Sequence, residues 1–392
     1  MEYNPFEPAV RENPYPYYAH LRDQAPVYQV EGMGCWAVSR YDDVLHILRS
    51  PKQFSSEILF TALLGDMNPV PEAPSLIASD PPVHSRLRKL ANKGFTPKLI
   101  RGLEPRVREI TQDLLQPIKG QSEFDLVADL STPLPVILIA EMLGVDPDLR
   151  VDFKRWSDDI VSAANRTYTP QEEQRIRQSI EEFRTYFGEV IDARRKDPQD
   201  DLLSALVKAE EEDQVLTAGE VLGLAVLLLI AGNETTTNLL GNIMLALLTH
   251  PDQMAKVQAD RSLIPNVVEE TLRYDGPVQG IFRQAKEDVV LAGTTIPADA
   301  MVLPLFASAN HDEYKFSNPE QFDVTRNTAD HIALGYGIHF CLGGPLARLE
   351  SIVALEELLA RFPSMALRDD TVARVDSFFI RGPKTLPLIV NA

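Results

Sequence analysis

The feature that most constrains the fold of this chain is a long apolar segment near its middle. Thr217-Ala-Gly-Glu220 matches a capping box, in which two side chains satisfy the first N–H groups of a helix. The run that follows, Val221–Gly232, is apolar on all sides, which predicts a helix buried in a core. The helical pattern stops only at Pro251, so the helix should be roughly 50 Å long at about 1.5 Å per residue.

The middle of this helix is unexpectedly polar. Ala231-Gly-Asn-Glu234-Thr235-Thr-Thr237 places a carboxylate and three poor helix formers between two apolar ends. A buried carboxylate is costly unless it is paired or used. Gly232 would let a bulky group approach the backbone. The segment therefore indicates either a catalytic or ligand-contact site, or a Glu234 that pairs with a buried arginine for structural reasons.

Most of the remaining chain also has the spacing of apolar residues that is typical of helices, and strand-like runs are few and short. Asp288–Phe306 is expected to form a hairpin or a pair of strands. No regular strand–helix alternation occurs, so a doubly wound parallel sheet is not expected. We predict a mainly α fold with small β-sheets, built as a single domain over residues 1–392. Further amphipathic helices are predicted at Tyr41–Ser50, Leu103–Lys119, Gln171–Arg195 and Pro345–Arg361.

The composition of the chain limits the classes of partner and the cellular locations that we expect. The formal net charge of −19 argues against nucleic acid or an anionic membrane as the main partner. No stretch reaches the roughly 20 apolar residues that span a bilayer, and the start lacks the pattern of a signal peptide. Two cysteines cannot build a disulfide framework. We therefore expect a cytoplasmic protein without a membrane anchor.

One basic segment departs from the acidic character of the chain. Pro81–Leu103 has no acidic residue. Such a segment could bind an anionic ligand or an acidic partner protein, or it could be a solvated helix face. Its six bases are Arg86, Arg88, Lys89, Lys93, Lys98 and Arg101.

One of the two cysteines lies in a glycine-rich loop, ALGYGIHFCLGGPLAR, just ahead of a predicted helix. A helix N-terminus favours a thiolate, and the glycines let the backbone approach a flat or bulky ligand. By this reasoning alone, Cys341 could be a nucleophile, a zinc ligand, an iron ligand or an inert buried cysteine. A zinc site would need His331 or His339 and two more soft ligands, and Cys35 lies far away in sequence.

Two further motifs complete a recognisable set. Glu270-Thr-Leu-Arg273 puts a carboxylate and an arginine on one helix face, and Arg326 follows in a later loop. Asp80-Pro-Pro-Val-His84-Ser-Arg86-Leu-Arg88 precedes and opens another helix. With the cysteine loop and the polar helix centre, these motifs make the chain resemble the cytochrome P-450 superfamily of haem-thiolate monooxygenases, of the soluble bacterial type. The resemblance covers nearly the whole chain and implies the single-domain cytochrome P-450 fold, with a long central helix over a haem.

The resemblance implies a cofactor site. Cys341 would be the axial thiolate ligand of the iron in haem b (iron protoporphyrin IX), and Gly335 and Gly343 would admit the porphyrin. Leu334 stands where the family usually has phenylalanine, so an aromatic edge beside the thiolate is missing. The residues that match partners of the haem propionates are His84, Arg88, Arg283 and His339.

The resemblance also implies roles on the substrate side and in the scaffold. Glu234 and Thr235 match the acid–alcohol pair that delivers protons during oxygen activation, which a carboxylate and a hydroxyl can do. Glu270, Arg273 and Arg326 match a structural triad on the thiolate side of the haem. We expect a mostly apolar substrate pocket lined by Leu227, Ile230, Ala231, Val278, Gln279, Ile281, Phe378 and Phe379.

The activity implied by the resemblance is insertion of one oxygen atom from O2 into a C–H bond of a hydrophobic small molecule, such as a fatty acid, terpenoid, steroid or macrolide. Two cysteines are too few for an iron–sulfur cluster, and 392 residues leave no room for a fused flavin domain. A monomeric enzyme supplied with electrons by a ferredoxin or flavodoxin and its reductase is therefore expected, with the basic segment as a docking site. The alternatives are a peroxygenase that uses H2O2 and a non-catalytic haem-binding or sensor protein.

Overall fold

The computed structural model describes residues 2–32, 34–163, 168–211 and 214–391. Most of this chain is helical and its sheets are small, which confirms the predicted fold class. The helices are α1 (Pro8–Glu12), α2 (Tyr15–Gln24), α3 (Tyr41–Arg49), α4 (Ile58–Leu63), α5 (Val83–Gly94), α6 (Pro97–Gly102), α7 (Glu104–Leu115), α8 (Pro133–Met142), α9 (Arg150–Ser162), α10 (Pro170–Lys196), α11 (Leu202–Val207), α12 (Ala218–Thr249), α13 (Pro251–Ala259), α14 (Ile264–Asp275), α15 (Phe306–Ala309) and α16 (Gly344–Arg361). The strands are β1 (Val27–Val30), β2 (Cys35–Val38), β3 (Phe54–Ser55), β4 (Glu123–Asp125), β5 (Glu210–Glu211), β6 (Gln214–Val215), β7 (Arg283–Ala285), β8 (Val289–Leu291), β9 (Thr294–Ile296), β10 (Met301–Pro304), β11 (Ser364–Leu367) and β12 (Pro387–Asn391).

The chain forms two compact units, which are described separately. The first unit contains Met1–Ser55, Glu104–Leu134 and Thr235–Ala392. The second unit contains Ser56–Leu103 and Pro135–Glu234.

The first unit is organised around a five-stranded sheet with the strand order β1-β2-β10-β7-β3. Strands β2 and β10 are parallel, and the other neighbours are antiparallel. Apolar side chains of α3 pack on this sheet, since Val44 and Ile47 belong to the same buried cluster as Val38 and Val302. Val44 and Ile47 are three residues apart and so share one helix face. This packing fixes the C-terminal end of α3, which borders the cysteine loop.

The second unit has an aromatic core between α9 and α10. Phe183 and Phe187, one turn apart on α10, have ring centroids 4.4 Å apart, and Trp156 of α9 meets Phe183 edge-on. A buried polar contact joins the same helices, because the Ser179 hydroxyl donates to the Asp159 carboxylate at 2.6 Å. The two helices are therefore joined by both apolar and polar contacts.

Helix α12 has the start and the length that the sequence predicts. Glu220 N–H donates to the Thr217 hydroxyl at 3.2 Å, and Thr217 N–H donates to the Glu220 carboxylate at 2.9 Å, which confirms the capping box. Among the described residues, α12 is the one helix whose length and hydropathy would suffice to cross a membrane, criteria that the core helix of a soluble protein also meets. It carries five buried polar side chains, those of Glu220, Asn233, Thr236, Asn238 and Asn242.

The other predicted helices and strands are confirmed with small changes of boundary. Helix α7 ends at Leu115, before the predicted Lys119, and α3, α10 and α16 begin and end within one residue of the prediction. The segment Asp288–Phe306 contains the antiparallel pair β8–β9, whereas β10 joins the large sheet.

Candidate active site

The loop around Cys341 is a tight turn that ends at the start of α16. Gly335 and Gly337 have φ values of +71° and +70°, a left-handed conformation that favours glycine. The Cys341 N–H donates to the Leu334 carbonyl at 3.0 Å, which closes the turn. The Cys341 thiol is half-buried and forms no disulfide. The thiol therefore stands three residues before α16, where the helix dipole favours its ionised form.

Position 337 requires a glycine for a second reason. The end of α3 lies so close to the loop that a side chain would not fit. A Cβ atom on Gly337 would lie 2.6 Å from the Leu48 carbonyl oxygen, a distance that no side chain tolerates. Next to it, the Arg49 guanidinium donates to the Tyr336 hydroxyl at 2.9 Å and lies over the tyrosine ring. The end of α3 thus supports the corner of the cysteine loop.

The donor set at Cys341 fits an iron that is already held by a macrocycle. Apart from its chain neighbours, no heavy atom of the described residues lies within 4 Å of the position that a Cβ atom on Gly343 would take, so the backbone is accessible there. Within the described ranges, no group of three His, Cys, Asp or Glu side chains could hold a bare metal ion. A zinc centre of the kind considered from the sequence is therefore not supported. A single thiolate with open backbone beside it matches the needs of haem.

A charged group that the sequence analysis did not identify lies beside this loop. Arg348 donates to Glu269 through Nε at 2.5 Å and through Nη2 at 2.9 Å, and His331 Nε2 lies 2.9 Å from Glu269 Oε2. Burial raises the pKa of Glu269, but the hydrogen bonds from Arg348 and His331 outweigh it and lower that pKa to about 2. The partners are 62 and 79 residues apart in sequence, so only the fold reveals them.

The structure brings Glu270, Arg273 and Arg326 together. Arg273 donates to both Glu270 oxygens, at 2.8 and 2.9 Å, and Arg326 Nε donates to Glu270 Oε1 at 3.1 Å. Arg273 also donates to the carbonyl oxygens of Asn310 and Pro319. These bonds tie α14 to the long segment that leads to the cysteine loop.

The four predicted propionate partners occupy different elements of the two units. In the first unit, Arg283 is buried on β7 and donates to the Phe282 carbonyl at 2.8 Å, and His339 is half-buried in a short turn of the loop. In the second unit, His84 is buried on α5 and Arg88 is half-buried one turn later on the same helix. Asp80, at the start of this motif, accepts a hydrogen bond from the Ser56 N–H at 3.0 Å.

Arg86, in the basic segment, has a partner that explains its presence. Its guanidinium forms an ion pair with Glu220, the capping-box carboxylate of α12. Burial raises the pKa of Glu220, but hydrogen bonds from Arg86 and Thr217 outweigh it, so the pKa is lowered. Arg86 is therefore a structural residue of the second unit.

One stripe of α12 is partly accessible. Leu227, Ile230, Ala231 and Glu234 follow the i, i+3, i+4, i+7 spacing of one helix face. Ala231 is exposed and the other three are half-buried, as is Thr235 one turn beyond Ala231. The predicted pocket residues of this helix thus share one face with the predicted acid–alcohol pair.

Other residues in the middle of α12 pack the helix against neighbouring segments. A side chain at Gly232 would collide with Ile139 of α8, so the close approach inferred from this glycine is made by a neighbouring helix. The Asn233 amide donates to the Ser157 hydroxyl of α9 at 2.7 Å, and both residues are buried. Thr237 donates to the Ser131 carbonyl at 3.0 Å.

The other predicted pocket residues form two adjoining segments. Val278 bridges to Ile380, and the Gln279 N–H donates to the Phe379 carbonyl at 2.8 Å. The Gln279 side chain is engaged elsewhere, since it accepts from the Tyr18 hydroxyl and donates to the Gly276 carbonyl. The half-buried residues of these segments are Val278, Ile281, Phe378 and Phe379.

Comparison with known proteins assigns the family. The family model for cytochrome P450 matches residues 9–390. The 6-deoxyerythronolide B hydroxylase of Saccharopolyspora erythraea is 40% identical over 387 residues, which cover 95% of this chain and 94% of that protein. Cytochrome P450 CYP109Q5 from Chondromyces apiculatus shares 46% identity at a TM-score of 0.93, covering 100% of this chain and 98% of that one.

A third similar protein has been solved with a bound molecule. CYP109E1 from Bacillus megaterium, in complex with testosterone, is 39% identical at a TM-score of 0.89, covering 97% of this chain and 100% of that chain. This chain belongs to the cytochrome P450 family. It is a haem-dependent monooxygenase, and like other members of its family it takes electrons from redox partners and binds hydrophobic substrates.

Proposed function

We propose that the whole chain forms one monomeric, cytoplasmic haem-thiolate monooxygenase domain. It inserts one oxygen atom from O2 into a C–H bond of a fatty acid, terpenoid, steroid or macrolide. Its electrons come from a separate ferredoxin or flavodoxin and its reductase. The observation that carries the proposal is the half-buried Cys341 in a glycine turn ahead of α16.

In this proposal, the thiolate of Cys341 would hold the haem iron, and His84, Arg88, Arg283 and His339 would bind the propionates. When bound, haem supplies the reductive activation of O2 and the transfer of one oxygen atom to the substrate. Two arginines and two histidines would oppose the two carboxylates, which matches the charge of the group. The turn at Gly335 and the open backbone at Gly343 leave space for a flat ring.

Glu234 and Thr235 are proposed to move protons towards the reacting oxygen. A half-buried carboxylate can exchange protons with water, and a hydroxyl can accept and donate at once. Ala231 and Ile230 lie on the same face of α12 and would hold the substrate beside this pair. The apolar side chains would also exclude bulk water from it.

The remaining substrate contacts are proposed for the segments at Val278–Ile281 and Phe378–Phe379. Apolar and aromatic side chains predominate in these segments, as expected for a site that binds a hydrophobic ligand. Testosterone and 6-deoxyerythronolide B, which appear in the names of two similar proteins, are the first compounds to screen.

The test combines the purified protein with a ferredoxin, its reductase, NADPH and a panel of the four substrate classes under 18O2. We expect one 18O atom in the product and no turnover when the ferredoxin is omitted. If H2O2 alone supports the same rate, the protein is a peroxygenase. If ligands bind but no class is oxidised, it is a haem-binding or sensor protein.

A further inference from the structure

Arg348 and Glu269 form an ion pair beside the proposed metal ligand. A Cβ atom on Gly344 would lie 3.5 Å from Arg348 Nη1 and 3.8 Å from the Cβ of Cys341, so both side chains border the same point at the start of α16. The side chain of Arg348 is 31% exposed and that of Glu269 is 26% exposed. The pair is thus partly shielded from water. Partly buried charges interact more strongly than charges on an open surface.

The orientation of the pair is fixed from two sides. Arg348 binds both Glu269 oxygens, which is the two-point geometry that holds a guanidinium in one plane. His331 then fixes the carboxylate: its Nδ1 accepts from the Ala333 N–H at 3.3 Å, so its Nε2 carries the hydrogen and donates to Glu269 Oε2. The His331 side chain is 5% exposed. The arginine therefore has little freedom to turn away from the loop.

Two opposite charges at unequal distances from a redox centre leave a net field there. Nη1 of Arg348 lies at the start of α16 next to Cys341, whereas Nε and Nη2 of the same guanidinium bind Glu269 of α14. A cation close to the sulfur stabilises the form of the centre with the extra electron. The carboxylate of Glu269, which carries the opposite charge, reduces this effect.

We propose that Arg348 is a positioning residue that raises the reduction potential of the haem–thiolate centre, and that Glu269 and His331 set how strongly it does so. This inference rests on the proposed ligation by Cys341. Neutralising Arg348 and neutralising Glu269 then shift the reduction potential of the haem in opposite directions. In a purely structural ion pair the two changes would have the same effect, because each of them breaks the same contact.

The test measures the midpoint potential of the haem in Arg348→Gln, Arg348→Lys and Glu269→Gln variants by redox titration. Arg348→Gln should lower the equilibrium constant for one-electron reduction by threefold or more. Glu269→Gln should raise it by threefold or more, because the positive charge is then no longer offset. Arg348→Lys keeps the charge and should retain most of the wild-type value.

A matched control exists on the same helix. Arg108 of α7 donates to Glu357 of α16 at 2.8 Å, and the two side chains are 32% and 18% exposed. Glu357 lies 13 residues beyond Gly344, which is about 20 Å along the helix and beyond the screening length of about 8 Å at physiological salt. Arg108→Gln and Glu357→Gln should leave the potential unchanged.

The proposal is overturned if Arg348→Gln and Glu269→Gln move the potential in the same direction, or if neither moves it further than the control pair. It is also overturned if Arg348→Lys behaves like Arg348→Gln. The carbon monoxide spectrum of the wild-type protein separates this failure from that of the proposed function. If the wild type lacks the thiolate band, the ligation by Cys341 is wrong, and the proposal about Arg348 falls with it.

Discussion

The guanidinium of Arg273 donates two hydrogen bonds to the carboxylate of Glu270, and both side chains are completely inaccessible to solvent. Removing one member of a buried pair leaves the other charge without compensation, which costs about 3–5 kcal/mol. We expect Glu270→Ala and Arg273→Ala each to lower the free energy of unfolding by this amount in urea titrations. Lys154→Ala removes an exposed pair with Asp158 and should have a much smaller effect. Equal effects of buried and exposed variants would contradict the assignment.

Glu350 should make the stability of the protein depend on pH. Its carboxyl is buried in α16, its Oε2 has no hydrogen-bond partner in the part of the chain that the structure describes, and burial raises its pKa to about 8 from the ordinary 4.5. Between these values the folded protein holds a proton that the unfolded chain releases. The free energy of unfolding should therefore fall with rising pH by up to about 1.4 kcal/mol per unit.

The Glu350→Gln variant isolates this contribution. It cannot ionise, so its stability relative to wild type should be higher at pH 8 than at pH 5. Urea titrations of both proteins at the two pH values measure the difference. Parallel pH profiles for the two proteins would show that Glu350 is ionised in the folded state, or that a water or other group compensates its charge.

Glu234 and Thr235 should control the ratio of product formed to NADPH oxidised. General acid–base groups typically contribute 10²–10⁴-fold to a rate, so Glu234→Gln should lower product formation by about 10²-fold or more. NADPH oxidation should persist and yield H2O2, and the solvent isotope effect should rise. Thr235→Ser keeps the hydroxyl and is the control for Thr235→Ala. If Glu234→Gln forms product at the wild-type rate, the carboxylate has no part in proton delivery.

The basic segment should determine the rate of electron transfer from an acidic partner. Lys89, Lys93, Lys98 and Arg101 have exposed side chains on α5 and α6. Charge reversal of Lys93 and Lys98 should slow reduction by a ferredoxin and weaken its dependence on salt, as measured by stopped flow. Lys208→Glu makes the same change of charge as either reversal made singly, at another exposed lysine, and should leave the rate and its salt dependence unchanged. Equal rates in all variants would place the partner elsewhere.

The sequence predicts those features that depend on neighbours along the chain. The capping box at Thr217 and Glu220, the helix that follows it and the glycine-rich loop ahead of α16 are all local, and a single segment specifies each of them. The contact between Glu270 and Arg273 is also local, since the residues are one turn apart. The third partner, Arg326, required the resemblance to a known family, and the complete burial of the pair was not predicted.

Features that join distant segments could not be predicted. Glu269 and Arg348 are 79 residues apart, and Asn233 and Ser157 are 76 apart, so no local pattern marks either pair. Gly232 illustrates the ambiguity of a single residue, because a glycine that could admit a ligand instead makes room for Ile139. The polar atoms of Gln279, predicted for the pocket, bind Tyr18 and Gly276.

The proposed monooxygenase chemistry depends most directly on the thiolate of Cys341. The decisive measurement is the absorption spectrum of the reduced protein with carbon monoxide, recorded for the wild type and for Cys341→Ala and Cys35→Ala variants. We predict a strongly red-shifted Soret band in the wild type and in Cys35→Ala, since Cys35 is buried in β2, and its loss in Cys341→Ala. A band at the position typical of histidine-ligated haem in the wild type, or a red-shifted band that survives in Cys341→Ala, would show that Cys341 does not ligate the haem iron.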